Sequence, residues 1–168
     1  KVKLPSFIAT YGLKVAITGF ANAILQGYIV YGFPDSFRYL GVERLAGIPV
    51  PIIFALVSIL LMEIILNRTV IGRMVFAVGA NPEATRLSGI KNDRVIILVY
   101  MIAGTFAALA GILQVARVNS SHAFIGDTML LPAIAAVVIG GTSMFGGVGS
   151  GLYGMLAFAV IAVFIRVF

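Results

Sequence analysis

Long apolar segments separated by short polar stretches dominate the chain. The apolar segments are residues 4–31, 48–66, 95–116 and 129–168, and the stretch at residues 32–47 between the first two is predicted to be a loop. A bilayer core of about 30 Å is crossed by about 20 helical residues, so each of the first three can span a membrane once. The fourth has room for two segments around a glycine-rich break at residues 140–151, which predicts that one segment is broken or re-entrant.

The composition of these segments favours helices over a β-barrel. Backbone groups in lipid must be hydrogen-bonded within the protein, which leaves helices or closed barrels. Barrel strands alternate apolar and polar residues in runs of about ten, whereas residues 52–61 are apolar on every face. We therefore predict an all-α integral membrane protein, a multispanning helical bundle of about five segments.

The overall composition excludes several classes of protein. The chain is 61% hydrophobic and 11% charged, whereas soluble domains are about 45–50% apolar and about 25% charged. It has no cysteine, which excludes disulfides and thiolate chemistry. No carboxylate pair, metal-ligand cluster or nucleophile–base arrangement is evident, so we expect no catalytic residue, metal or cofactor. No basic run with interleaved aromatics suggests nucleic acid as a partner.

Basic residues are distributed unequally between the two sides of the predicted spans. One side collects Lys1, Lys3, Arg68, Arg73, Arg86, Lys91 and Arg94, and the other collects Arg38, Arg44 and Arg117. Short cytoplasmic loops carry an excess of Lys and Arg. This distribution predicts that the loop at residues 67–94 lies in the cytoplasm.

Within that loop, residues 82–88 are predicted to form a two-turn helix. Asn81 can cap its free N–H groups, Pro82 suits the first helical position, and Glu83 favours the positive end of the helix dipole. Gly89 is placed to end the helix in the left-handed conformation.

So short a helix is not stable alone, so it must dock against something. Ala84, Leu87 and Ile90 are the candidates for its buried side, and Arg86 stands near its end. Two interpretations stay open: the helix lies on the membrane surface or on its own protein, or it docks on a partner.

Other polar and small residues in the spans carry weaker signals. Asn22 and Gln26 are one turn apart, so they are predicted to share a helical face and to bond either solute hydroxyls or a neighbouring helix. Lys14 is costly inside a span unless it faces the protein interior or reaches the interface. Glu63 is predicted to reach the interface or to pair with Arg68.

The glycine-rich segment has two interpretations. Gly147-x-x-x-Gly151 fits the small-xxx-small pattern of close helix packing, and broken helices in transporters expose backbone groups to a cavity. Gly140, Gly141 and Thr142 are therefore candidates for a solute path, together with Asn22 and Gln26. No Lys-Ser/Thr follows the glycines, so nucleotide binding is not expected here.

The stretch at residues 79–90, GANPEATRLSGI, resembles the cytoplasmic signature of the membrane subunits of bacterial ABC sugar importers. These are the ribose, xylose and galactose type permeases and their autoinducer-transporting relatives. Residues 4–10, 47–51 and 133–149 resemble other parts of the same family, in order and at similar spacing. Thr85 departs from the pattern, since relatives usually have Ala there. The whole chain, residues 1–168, resembles the latter half of such a permease.

The resemblance implies a transport subunit, not an enzyme, in the bacterial inner membrane. A separate ABC ATPase would drive alternating access for a sugar or related small polar solute. A second permease subunit, identical or different, and an external substrate-binding protein would be the further partners. The short helix would be the ATPase-coupling element, formed by Asn81, Pro82, Glu83, Ala84, Arg86, Leu87, Ser88 and Gly89. The alternatives are a secondary transporter or channel without an ATPase, and an ABC permease for amino acids or a signal molecule.

Overall fold

The structure, a computed structural model, describes residues 6–45, 47–143, 146, 147 and 149. These residues contain seven α-helices and four two-residue β-strands. In chain order they are α1 (Ser6–Leu25), β1 (Val30–Tyr31), α2 (Asp35–Val42), β2 (Arg44–Leu45), β3 (Ile48–Pro49), α3 (Val50–Arg68), α4 (Val70–Ala80), α5 (Pro82–Leu87), α6 (Asn92–Val118), β4 (Ser120–Ser121) and α7 (Asp127–Ile139).

Three helices, α1, α3 and α6, are long and apolar enough to cross a membrane, with 20, 19 and 27 residues. They coincide with the first three predicted spans, and the all-α membrane fold class is confirmed. Helices α4 and α7 are apolar but shorter, with 11 and 13 residues. The predicted segment after the glycine-rich break lies outside the described residues.

Large apolar side chains are mostly uncovered within the described residues. Phe20 is 70% exposed, Ile24 66% and Leu131 75%, and the few buried apolar residues are Val50, Val78, Ala116 and Ala136. Contiguous apolar surface of this extent is not stable in water. These faces therefore meet lipid or other protein.

A helix, α2, occupies part of the stretch at residues 32–47, where a loop is predicted from the sequence. Asp35 stands in its first turn after Pro34, a favourable start. The helix packs against α3 and α6. At Gly41 an added Cβ would overlap the backbone of Ala116 and Arg117, so only glycine permits this approach. The loop prediction was wrong because the helix is short and is stabilised by tertiary packing.

Helix α4 also forms where only a polar loop was expected. Thr69 caps it, accepting a hydrogen bond from the N–H of Gly72 at 3.3 Å, and donates to the carbonyl of Ile65 at 2.6 Å. The same side chain therefore joins the end of α3 to the start of α4. Basic residues at both ends of this loop masked the apolar character of residues 70–80.

Two short strands join the ends of α1 and α6. Strands β1 and β4 pair antiparallel, with Val30 opposite Ser121, and the N–H of Phe33 donates to Asn119 Oδ1 at 3.2 Å. The loops after α1 and α6 therefore lie on one side of the bundle. Because α3 and α6 each cross the bundle, the loop at residues 67–94 lies on the other side. This agrees with the prediction that successive loops alternate between the two sides of the spans.

Helix α7 ends where the glycine-rich break was predicted. The N–H of Gly141 donates to the carbonyl of Val138 at 3.0 Å, and that of Thr142 to Val137 at 3.2 Å. Gly141 has a φ of 80°, so these bonds form a Schellman-type C-terminus. Gly147 also has a φ of 80° and is not helical. The small-xxx-small helix contact starting at Gly147 was therefore wrong, and Gly151 lies outside the described residues.

Candidate functional site

The short helix α5 begins as predicted from its sequence. Asn81 Oδ1 accepts hydrogen bonds from the N–H groups of Glu83 at 3.1 Å and Ala84 at 3.0 Å. Pro82 occupies the first turn, where its missing N–H costs nothing. The N–H of Asn81 donates to the carbonyl of Ala77 at 3.0 Å, so one residue ends α4 and starts α5.

The C-terminal end of α5 differs by one residue from the prediction. The helix ends at Leu87, and Ser88, predicted as its last residue, is the C-cap and donates through its N–H to the carbonyl of Ala84 at 3.0 Å. Gly89 has a φ of 85°, as predicted for a left-handed terminator. The N–H of Ile90 then closes the turn on the carbonyl of Thr85 at 3.3 Å.

Thr85 fastens α5 to α4. Its side chain is buried, 5% exposed. Its hydroxyl Oγ1 donates to two carbonyl oxygens, that of Ala77 at 2.9 Å and that of Asn81 at 2.7 Å. In the sequence, Thr85 stands out only as a departure from a family pattern. The signal for its role is a hydroxyl placed close to the carbonyl groups at the end of the preceding helix.

Asn92 fastens α5 on its other side. It is the first residue of α6, and its Nδ2 donates to the carbonyl of Pro82 at 2.7 Å. Helix α5 is therefore held between α4 and α6 by side-chain hydrogen bonds to backbone. The interpretation that the short helix lies on its own protein is correct for this inner side.

The outer side of α5 is uncovered. Leu87 is 81% exposed, the highest value among the large apolar side chains of the described residues. Glu83, Ala84 and Arg86 are exposed as well. The helix therefore presents an apolar side chain between charges of both signs, at the end of the bundle where α3 finishes and α6 starts.

The candidate solute-path residues lie at the C-terminal ends of α1 and α7. Helix α1 ends at Leu25, and Gln26 has a φ of 51°, so the predicted shared helical face of Asn22 and Gln26 was wrong. The backbone N–H groups of Gly140, Gly141 and Thr142 all donate to carbonyls of α7. These three amides are therefore not free to bind a solute.

An ion pair that is not predicted from the sequence joins α1 to α7. Lys14 Nζ lies 2.8 Å from Asp127 Oδ1 and 5.6 Å from the centre of the Tyr11 ring. Lys14 is thus paired within the protein, one of the two ways in which a lysine is tolerated in a span. Glu63 Oε1 accepts a hydrogen bond from Asn67 Nδ2, and among the described residues it forms no ion pair with Arg68, one of its two predicted arrangements.

A groove of about 320 Å³ lies between α3, α4 and α6. Its walls include Met62, Ile65, Val99, Ile102 and Phe106. Apolar walls offer no hydrogen bonds to hydroxyl groups, so this groove suits lipid or an apolar side chain and not a sugar.

The chain is similar in sequence to three import permeases. The chain is 38% identical to the ribose import permease protein of Escherichia coli strain K12 over 99% of this chain and 53% of the relative. It is 38% identical to the galactose/methyl galactoside import permease protein of Haemophilus influenzae, over 92% and 49%. It is 35% identical to the autoinducer 2 import system permease protein of Yersinia enterocolitica, over 89% and 45%. The chain thus spans about half the length of the curated relatives it matches. No solved structure matches it significantly.

One protein family covers nearly the whole chain. Residues 1–167 match the family described as "Branched-chain amino acid transport system / permease component". The match agrees with three apolar helices of membrane-spanning length and with the import permeases among the relatives, and it confirms the resemblance stated from residues 79–90. The chain belongs to this family of multi-pass membrane transport permeases.

Proposed function

We propose that this chain is part of the permease subunit of an ABC importer in the bacterial inner membrane. It moves a sugar or a related small polar solute by alternating access, and a separate ATPase supplies the energy. The observation that carries the proposal is α5, which is fixed to its own protein by Thr85 and Asn92 while Leu87 stands 81% exposed.

The outer face of α5 has the properties of a docking element. Asn81 and Pro82 start the helix and Ser88 and Gly89 end it, which keeps it preformed at low entropic cost. Leu87 is the apolar anchor, Ala84 leaves room for close approach, and Glu83 and Arg86 lie at the rim. A buried apolar anchor with a polar rim is the usual anatomy of a protein interface. The seven-to-three distribution of basic residues supports a cytoplasmic position for this face.

The solute class rests on the names of the relatives, which are ribose, galactose and autoinducer 2 import permeases. The further partners are an external binding protein and a second permease subunit, identical or different. Asn22, at the end of α1, remains a candidate for contact with solute hydroxyls through its amide. Identifying the solute that the associated external binding protein holds decides between a sugar, an amino acid and a signal molecule.

The test of docking is Leu87→Asp in the full-length protein. Burying a charge in place of a leucine loses the apolar contact and adds an unpaired charge, and truncating a buried Leu costs about 2–5 kcal/mol. We expect the ATPase to be lost on co-purification and solute-stimulated ATP hydrolysis to fall with it. Leu87→Met is the matched control and should retain both. Arg86→Glu should weaken the contact less, since rim charges contribute little. Unchanged co-purification with Leu87→Asp contradicts the docking role.

One observation favours the alternative of a secondary transporter. Asp127 places a carboxylate beside Lys14, which lies about 12 Å along α1 from its start. Carboxylates inside membrane proteins often belong to ion-coupled transport. Uptake into proteoliposomes distinguishes the two: an ABC importer requires ATP and the ATPase, whereas a secondary transporter responds to a proton or sodium gradient in their absence.

A further inference from the structure

Three glycines bring the end of α4 against the segment that follows α7. A Cβ added to Gly79 would lie 2.5 Å from the backbone nitrogen of Gly147, and one added to Gly147 would lie 2.9 Å from Ala80 Cα. A Cβ on Gly146 would lie 3.0 Å from the carbonyl oxygen of Gly79. Among the described residues, the two stretches therefore touch mainly backbone to backbone, with the Ala80 methyl group beside Gly147.

The α4 side of this contact is continuous with α5. Gly79 and Ala80 are the last two residues of α4, and Asn81 follows as the cap shared by both helices. The Thr85 hydroxyl bonds α5 back to Ala77 in the last turns of α4. A displacement of α5 therefore moves the end of α4 with it.

The other side of the contact is continuous with α7. The Schellman-type bonds of Gly141 and Thr142 tie the chain to α7 as it leaves the helix. A Cβ on Gly149 would lie 2.9 Å from Thr142 Cγ2, so Gly149 packs against the end of the turn after α7, and the N–H of Gly146 donates to the carbonyl of Ser143 at 3.2 Å. At the far end of α7, Asp127 is paired with Lys14 of α1.

We propose that Gly79, Gly146 and Gly147 are positioning residues that pass movement of α5 to α7. The inference rests on the proposed function, because it assumes that an ATPase moves α5. The physical reason is that backbone atoms and the Ala80 methyl group, which has no rotamer to change, form the contact among the described residues. A side chain can change rotamer and absorb a small shift, whereas closely packed backbones have low compressibility and transmit it. The continuous route is α5, α4, the glycine contact, α7 and then α1.

The first test is Gly79→Ala in the full-length protein assembled with its ATPase in proteoliposomes. The added methyl group would lie 2.5 Å from Gly147 N and must push the two stretches apart. We expect ATPase co-purification to persist while solute transported per ATP hydrolysed falls roughly tenfold. Gly104→Ala is the matched control, because it is also a helical glycine but has nothing within 4 Å of its added Cβ. Equal coupling in the two variants would overturn the inference.

The second test does not depend on how well Gly79→Ala folds. The chain has no cysteine, and a Cβ on Gly147 would lie 3.1 Å from Ala80 Cβ, close to the roughly 3.5–4.5 Å typical of disulfides. In the Ala80→Cys/Gly147→Cys double variant, oxidation should form a disulfide and a reductant should reverse it. If the contact moves as one body, the crosslinked protein should keep the ATPase bound and transport solute as efficiently as the reduced protein.

Solute uptake by the crosslinked protein shows whether α5 and α7 move together. If α5 and α7 move together, the crosslinked protein keeps uptake within about twofold of the reduced form. Failure of the disulfide to form, or complete loss of uptake on crosslinking, shows that the two stretches do not travel together and overturns the inference. Absence of ATP-driven uptake in the unsubstituted complex contradicts instead the proposed function.

Discussion

At the scale of single residues, the side chains that matter most around α5 act on backbone groups. Asn81 accepts from two N–H groups of the helix start, Asn92 donates to the carbonyl of Pro82, and Thr85 donates to the carbonyls of Ala77 and Asn81. Such bonds hold a helix of six residues that its own propensity does not stabilise. The residues that hold α5 in place are thus distinct from those exposed on its outer side.

Replacing Thr85 by Val removes the hydroxyl while keeping the shape of the side chain. One hydrogen bond contributes about 0.5–1.5 kcal/mol, so amide exchange within α5 should accelerate about fivefold. Hydrogen exchange followed by mass spectrometry measures this. Thr105→Val is the control, because Thr105 donates to Met101 within a single helix and should leave α5 unchanged. Equal exchange in α5 of the Thr85 variant and the unsubstituted protein would contradict this role.

At the scale of elements, helices are joined by a few specific contacts. Strands β1 and β4 join the ends of α1 and α6, Thr69 joins α3 to α4, and the ion pair of Lys14 and Asp127 joins α1 to α7. Apolar packing between spans gives little preference for one partner over another, because lipid is as apolar as the side chains. Polar contacts therefore select which helices are neighbours.

Charge reversal tests the contact between α1 and α7. Lys14→Glu and Asp127→Lys should each lower the thermal stability of the purified protein, since each leaves like charges facing one another. The double variant restores the pair with reversed polarity and should recover much of the loss. Arg38→Glu is the control, because its partner Asp35 has a 99% exposed side chain and such pairs contribute little. No recovery in the double variant would mean that the pair does not join the helices.

At the scale of the whole molecule, the described residues form a bundle with two different ends. One end carries the paired strands β1 and β4 together with α2. The other end carries α5, held by α4 and α6. In the proposed function an event at one end must alter the other, and α7 with the glycine contact is the connection that we propose between them.

The orientation of the bundle predicts a labelling pattern. Single cysteines at Ser88 and Asp35, in a chain with no native cysteine, should react with a membrane-impermeant reagent from opposite sides. Ser88→Cys should react only in inside-out vesicles, because basic residues concentrate in its loop. Asp35→Cys should react only in intact cells whose outer membrane has been made permeable to the reagent. Reaction of both from the same side contradicts the topology.

Local signals in the sequence determined the spans, the start of α5 and its left-handed terminator. Span length follows from bilayer thickness, and the capping by Asn81 and the role of Gly89 depend on neighbouring residues alone. The same local reasoning missed α2 and α4, whose formation depends on packing against other helices.

Only the tertiary structure decided the contacts between residues far apart in the chain. The pairing of Lys14 with Asp127 and the approach of Gly79 to Gly147 depend on how complete helices are arranged. A single sequence records which groups require partners, such as a lysine within a span, but many partners satisfy the same requirement. Folding selects one of them, because each contact must be compatible with all the others at close-packed density.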